Sequence, residues 1–424
     1  MDQVKYRINF LVLIHVIALV GLIFPYGFPL YSISILAFWG YSLLNKSVSI
    51  KNNVFMIIMY LSITTYIVGV FNSEGVLYNT VINDLIGIFS LLLMVLSTGK
   101  FTIQEYTETV KRFLIIYAHV SLFFALISLF KYYSLLNNKH IQYFEVEGRP
   151  YPWGTALMPD YNMFALAMLV GLVATSYLIK KSEQTIMQVY GVVSSLIISL
   201  AILFSGSRRG WIVLLFLVFL LMYRFLQRLK NNTSRKNKKL ILTLVLICIS
   251  FIIIFKTQFN LSITNSYEFE KLRYRFSTLE DISSSLSSRT SRLEDGILLM
   301  KDFNIVEFIF GEGFSYLSFY GEKYIGPGYE EYPHNPLLSA FLYSGIIGLL
   351  VMITLLVIPI FRSLLSRLSI DYMIIYLIVL FFLIQSANSI FSTNIFWLIL
   401  LIYCLIPVYE RRVVRLESDI NSSK

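Results

Sequence analysis

The chain has 424 residues, 57% of them hydrophobic and only 14% charged, with a mean hydropathy of +0.70. Soluble domains carry about a quarter charged residues, so a water-soluble globule is excluded and an integral membrane protein is expected. The formal charge of +10 is read by where the bases sit along the chain, not as a nucleic-acid footprint, and no nucleic acid is expected as a partner.

A helix needs about 20 apolar residues to cross the hydrocarbon core. Twelve runs of this kind follow one another: 8–24, 27–44, 54–71, 81–96, 113–130, 163–179, 186–204, 211–226, 240–255, 337–361, 372–385 and 390–409. The expected fold is all-α, a polytopic bundle of about 12 transmembrane helices with a large, partly helical outer loop. The first run follows Lys5 and Arg7, shows no small-residue cleavage pattern and leads straight into a second run, so it is expected to stay as a signal anchor.

Short cationic connections remain on the cytoplasmic side. Lys46 and Lys51, then Lys100, Lys111 and Arg112, then Lys180 and Lys181, then Arg362 and Arg367, and finally Arg411, Arg412 and Arg415 fall in every second connection. The connection 224–239 is the plainest, with seven bases from Arg224 to Lys239 and no acid. Both termini are therefore expected in the cytoplasm, and 131–162, 205–210 and 256–333 outside. The division that results is a membrane domain over 1–255 with about nine spans, an outer loop over 256–333, C-terminal spans over 334–410 and a cytoplasmic tail over 411–424.

The long outer loop is acidic overall, and its residues 291–310 have an amphipathic pattern suited to lying along the membrane interface. Cys248 and Cys404 lie in apolar runs without metal-ligand or C-x-x-C spacing, and no G-x-x-x-x-G-K-[ST] loop is present, which argues against thiol, zinc or ATP-driven chemistry. No cofactor is expected. No D-x-D pair demands a divalent metal, although the scattered acids of the outer loop can bind one.

Four stretches can carry chemistry. Arg208 and Arg209, in Phe204-Ser-Gly-Ser-Arg-Arg-Gly-Trp211, stand on the outer side against the charge bias and at the membrane boundary. Such groups are candidates for function, the alternatives being snorkelling to headgroups or a structural ion pair. Arg289 and Arg292, in Ser287-Ser-Arg-Thr-Ser-Arg292, precede the amphipathic segment; if Ser291 caps that helix, its free N–H groups join the guanidinium forks as a phosphate seat. The alternative is a solvated helix start with Arg292 paired to an acid of the loop. His334, in Pro333-His-Asn-Pro-Leu-Leu338, has an imidazole whose ordinary pKa of about 6.5 suits removal of a proton from a sugar hydroxyl. Asn335 can orient the ring or the acceptor, or simply cap the helix that Pro336 opens. Arg149, Trp153 and Asn162 belong to an aromatic, turn-rich stretch that can hold sugar rings, look like an interface belt, or, for Asn162, cap a helix. His15 and His119 lie within spans and are expected to make helix contacts.

The order S-G-S-R-R-G, S-S-R-T-S-R, H-N-P-L-L and S-G-I-I-G over 204–350, with a weaker echo at Pro159 to Asn162, resembles the bacterial O-antigen ligase and O-antigen polymerase superfamily. The family's serine–arginine pair maps to Ser207 and Arg208, and its loop arginine to Arg292. Arg209 departs from the usual small residue, and Gly296 stands where an aromatic is common. The resemblance implies a C-type glycosyltransferase fold in the bacterial cytoplasmic membrane with an outward active site. It implies a donor glycan carried on undecaprenyl pyrophosphate, catalysis by His334, Arg208 and Arg292, and pyrophosphate binding by Arg208, Arg209, Arg289 and Arg292. Asn335, Asn162, Trp153 and Arg149 are then acceptor or glycan contacts. Membrane lipids, and a chain-length regulator and flippase of the same pathway, are the expected partners. A polymerase is favoured over a ligase; a lipid-linked oligosaccharide flippase and a non-catalytic scaffold are the readings from other classes.

Overall fold

The computed structural model describes residues 2–23, 27–49, 54–136, 161–182, 184–231, 279–333, 335–365 and 370–386. These residues are helical, with no strand among them: α1 (Asp2–Val20), α2 (Gly27–Leu44), α3 (Val54–Gly69), α4 (Tyr78–Ser97), α5 (Ile103–Leu136), α6 (Tyr161–Lys181), α7 (Thr185–Phe204), α8 (Arg208–Asn231), α9 (Leu279–Lys301), α10 (Ile305–Phe310), α11 (Ser315–Tyr324), α12 (Pro336–Leu365) and α13 (Ile370–Ser386).

Among the described residues, five stretches are long and apolar enough to cross a membrane: Gln3–Val20, Gln104–Ser134, Tyr161–Lys181, Thr185–Phe204 and Pro336–Ile358. Leu30–Leu44, Asp84–Ser97 and Met373–Leu383 are shorter apolar helices. The chain is thus a polytopic membrane protein, but the described residues do not reach twelve spans. The runs 240–255 and 390–409 lie outside them, and α3 has only 16 residues. Large apolar side chains such as Leu13, Ile33, Phe123, Leu126, Ile212 and Phe216 point outward, as lipid-facing positions do.

The centre of the bundle is α6, buried along most of its length. It runs antiparallel to α7, with Thr175 Oγ1 2.8 Å from Ser195 Oγ and Gly191 packed on Ile179. His119 of α5 meets the Tyr190 hydroxyl of α7 at 2.6 Å, and His15 of α1 holds the Leu11 carbonyl and lies against Phe113. Both histidines are committed to helix contacts.

Bases and acids gather at one end of α1, α2, α4 and α5. Thr102 and Glu105 form a reciprocal cap on α5, Arg7 approaches Glu105 at 3.5 Å and lies over the Phe101 ring, and Lys100 reaches the Lys46 carbonyl at 2.5 Å. Two other regions lie far from this end. The corner between α7 and α8 sits by the far end of α5, where Tyr132 stacks on Phe204, about 40 Å along the helix from Glu105. The stretch that follows α11 docks at the opposite end of α4, where the Leu77 amide donates to Glu330.

The segment from α9 to α11 is not the single helix expected over 291–310. The longer helix, α9, begins upstream at Leu279 and ends at Lys301. A new cap at Asn304, reciprocated by Glu307, starts α10 in a fresh direction. Along α10, Ile305 (80% exposed), Val306, Phe308 and Phe310 all leave apolar surface uncovered.

Candidate active site at the corner and the outer loop

At the corner, α7 ends at Phe204 and α8 begins at Arg208, so the reversal takes three residues. Ser207 directs it. Its Oγ accepts the Gly210 amide at 3.1 Å, which caps α8, and donates to Asn162 Oδ1 at 2.9 Å. The Ser207 amide donates to Ser205 Oγ at 3.2 Å, and the Trp211 indole crosses back to the Leu203 carbonyl at 2.9 Å. Arg208 and Arg209 are therefore the first two residues of a helix, where the dipole already supplies positive potential. A guanidinium is disfavoured there, and more so under burial: Arg209 is 7% exposed and Arg208 half-buried. The local charge suits an anion.

Asn162 does not cap α6, which starts one residue earlier, at Tyr161. Its carboxamide takes the Ser207 hydroxyl instead and ties the start of α6 to the corner. Of the roles the sequence allows for Asn162, the cap is excluded, and its bond to Ser207 makes it a brace for that serine.

In the loop between α8 and α12, Arg289, Ser291 and Arg292 are not ahead of a helix but inside α9. The expected cap at Ser291 is therefore wrong, and with it the seat of free N–H groups. The overlooked signal was Glu280-Asp281, two acids in the true first turn, which the helix dipole favours. Arg289 precedes Arg292 by one turn; its side chain lies outside the described residues. Arg292 approaches Glu331 Oε2 at 3.4 Å, and its carbonyl accepts the Tyr320 hydroxyl at 2.9 Å. The pairing with a loop acid is thus real, through Glu331 at the far end of the loop and not through a neighbour on the helix.

One turn beyond Arg292, Gly296 packs on the start of α12. A Cβ there would stand 2.5 Å from Leu338 Cδ2 and 3.1 Å from Pro333 Cβ. An aromatic would not fit, which accounts physically for the glycine. The close approach brings the Arg292 turn alongside 333–338. Within that stretch Asn335 caps α12, its Oδ1 accepting the Leu337 and Leu338 amides at 3.0 and 3.1 Å, with Pro336 as first helical residue. The capping role of Asn335 is therefore filled. His334, Trp153 and Arg149 lie outside the described residues.

A joint that sequence reasoning missed holds the loop in place. Within α12, Gly345 has φ 63° and ψ −163°, which breaks the helix. The carbonyls of Leu342 and Tyr343 then accept the amides of Glu312 and Gly313 at 2.8 and 3.0 Å, while Phe314 and Ser315 donate to Gly69 and Asn72 at the end of α3. A side chain at Gly345 would collide with the Ile309 backbone. Beneath the joint, Tyr343 stacks on Tyr66 at 4.1 Å and donates to its carbonyl at 2.7 Å. Tyr66 in turn donates to Asp84 at 3.0 Å. Glu312, at the joint, is bonded by Asn72 at 3.4 Å, and its carboxyl is raised above the ordinary range by burial first and by the nearby Glu307 second. The signal available beforehand was the pair Gly345 and Gly348 in an otherwise bulky span.

The structure thus brings Arg208, Arg209, Ser207 and Asn162 into one group, and Arg292, Glu331, Tyr320 and the start of α12 into another. Among the described residues no cluster of three or more His, Cys, Asp or Glu side chains offers a metal site. No curated protein matches the chain. A family model described as O-Antigen ligase matches residues 193–353, a stretch that contains both groups. Over residues 193–353 the chain is therefore similar to O-antigen ligases, in keeping with the resemblance its motifs carry.

Proposed function

We propose that the chain is a glycosyltransferase that polymerises undecaprenyl-pyrophosphate-linked repeat units into a surface polysaccharide, an O-antigen, capsule or exopolysaccharide. The reaction takes place on the outer face of the cytoplasmic membrane. The observation that carries this reading is the corner, where Ser207 caps α8 so that Arg208 and Arg209 add their charge to a helix start. Enzymes of the matched family act on lipid-linked glycans in the manner of glycosyltransferases.

In the proposed step an acceptor hydroxyl attacks the anomeric carbon of the donor sugar. Its proton passes to His334, and the carbon–oxygen bond to pyrophosphate breaks with both electrons leaving on the lipid pyrophosphate. Attack opposite the leaving group inverts the centre. Arg208 and Arg209, with Arg289 and Arg292 from α9, oppose the charge that grows on the leaving oxygen, and in a site shielded from water such donors act strongly. No metal is required by this scheme. The sidedness rests on the cationic connections, which put the corner and α9 outside.

Purified protein given synthetic lipid-linked repeat units is expected to yield a ladder of longer products. A single addition onto a foreign acceptor would instead identify a ligase, the alternative reading within the same superfamily. Movement of the lipid across vesicles without any new glycosidic bond would overturn the enzymatic reading.

A further inference from the structure

The far end of α5 carries a cation that the scheme above does not use. Lys131 lies within the apolar stretch Gln104–Ser134 and is 2% exposed. Ser128 and Tyr132 are 0% and 6% exposed. Positions 128, 131 and 132 share one face of the helix. The Lys131 ammonium and both hydroxyls are shut off from solvent, and none has a hydrogen-bond partner among the described residues.

A buried ammonium without a counterpart is costly, and snorkelling does not explain it, because its nitrogen reaches no surface. The Tyr132 ring lies flat on Phe204 at 4.5 Å, and Phe204 is the last residue before the corner that holds Arg208 and Arg209. The face therefore offers an ammonium with three protons and two hydroxyls, all hydrogen-bond donors, beside a buried cationic corner. A tetrahedral oxyanion with several acceptor oxygens matches that set; a neutral sugar does not answer the charge.

We propose that Lys131, with Ser128 and Tyr132, binds a phosphate group next to the corner, and that this phosphate belongs to the pyrophosphate of the lipid-linked donor. The assignment rests on the donor class proposed above. An anionic phospholipid headgroup offers the same chemistry and is the competing source.

The test is binding of undecaprenyl pyrophosphate to the purified full chain in phosphatidylcholine nanodiscs, which needs no turnover. Lys131→Met is expected to weaken binding about tenfold or more, as loss of a charge-assisted contact does. Lys131→Arg should retain most of it, and Tyr132→Phe, which keeps the ring on Phe204, should lose a few-fold. The ligand-free Lys131→Met protein should melt no lower than wild type, because a buried charge has been removed. Unchanged affinity in Lys131→Met overturns the proposal, and a lower melting temperature beside it would mark an internal ion pair. So does a loss that appears only as weaker retention of phosphatidylglycerol, which would assign the site to a headgroup. Lys131-dependent binding by a wild-type protein that forms no glycosidic bond would leave the site standing and remove the transferase reading. A product ladder with Lys131-independent binding would do the reverse.

Discussion

The two basic clusters differ in what the protein has already done with their charge. At the corner, Arg208 and Arg209 open a helix whose dipole adds to them, and Ser207 and Asn162 hold the turn rigid. In the outer loop, Arg292 sits in mid-helix, away from the dipole, and leans on Glu331. The first arrangement sets its charge on a helix start, and the second sets part of its charge against a carboxylate. In the proposed reaction the corner is thus the fixed anchor for pyrophosphate, and Arg292 a group that exchanges Glu331 for the donor.

The sharpest way to break this comparison is to remove the anchor. Arg208→Ala is expected to slow transfer about 100-fold, roughly 3 kcal/mol of transition-state stabilisation, with normal protein levels and melting temperature; undiminished product length would refute the assignment. A charge swap, Arg292→Glu with Glu331→Arg, separates the two roles of the loop arginine. If the pair is only structural, the swap restores both stability and transfer. The expected outcome is restored stability with transfer still depressed by at least tenfold, and the stability at issue is small, ~1 kcal/mol for a part-buried pair 3.4 Å apart.

Stability experiments probe what supports each cluster. Gly345→Ala forces a side chain into a left-handed position against the Ile309 backbone and should cost about 2 kcal/mol, read as a lower melting temperature and faster proteolysis of α9–α11. Ser207→Ala removes a cap and should cost about 1 kcal/mol, with a loss of transfer because the arginines lose their brace. The smallest effect concerns Glu312. Its raised pKa means that the folded state holds the proton more tightly than the unfolded one, so its contribution is favourable at low pH and is lost as pH rises from the ordinary carboxyl value through the raised one. The melting temperature should fall over that window, and Glu312→Gln should flatten the fall.

Much of the architecture was legible because membrane burial writes itself into local composition. Apolar runs, the Pro336 start and the Asn335 cap follow from neighbours within one turn. Errors arose where a local pattern had two readings. Ser291 looked like a cap because serines favour that place, yet the acids at 280 and 281 begin the helix twelve residues before Arg292. Asn162 looked like a cap, yet it lies inside α6, and its side chain accepts the hydroxyl of Ser207, 45 positions away.

Composition and charge order alone determined that the chain lives in a bilayer and that paired arginines stand at the corner 205–210 and in the stretch 287–292, since both are properties of short segments. Only the tertiary structure decided that Glu331 meets Arg292, that Gly296 clears room for Leu338, that the loop knots into the break at Gly345, and that Lys131 is shut away beside Phe204. Each of these depends on segments far apart in sequence meeting at van der Waals or hydrogen-bond distance, and no periodicity within one helix records its partner on another.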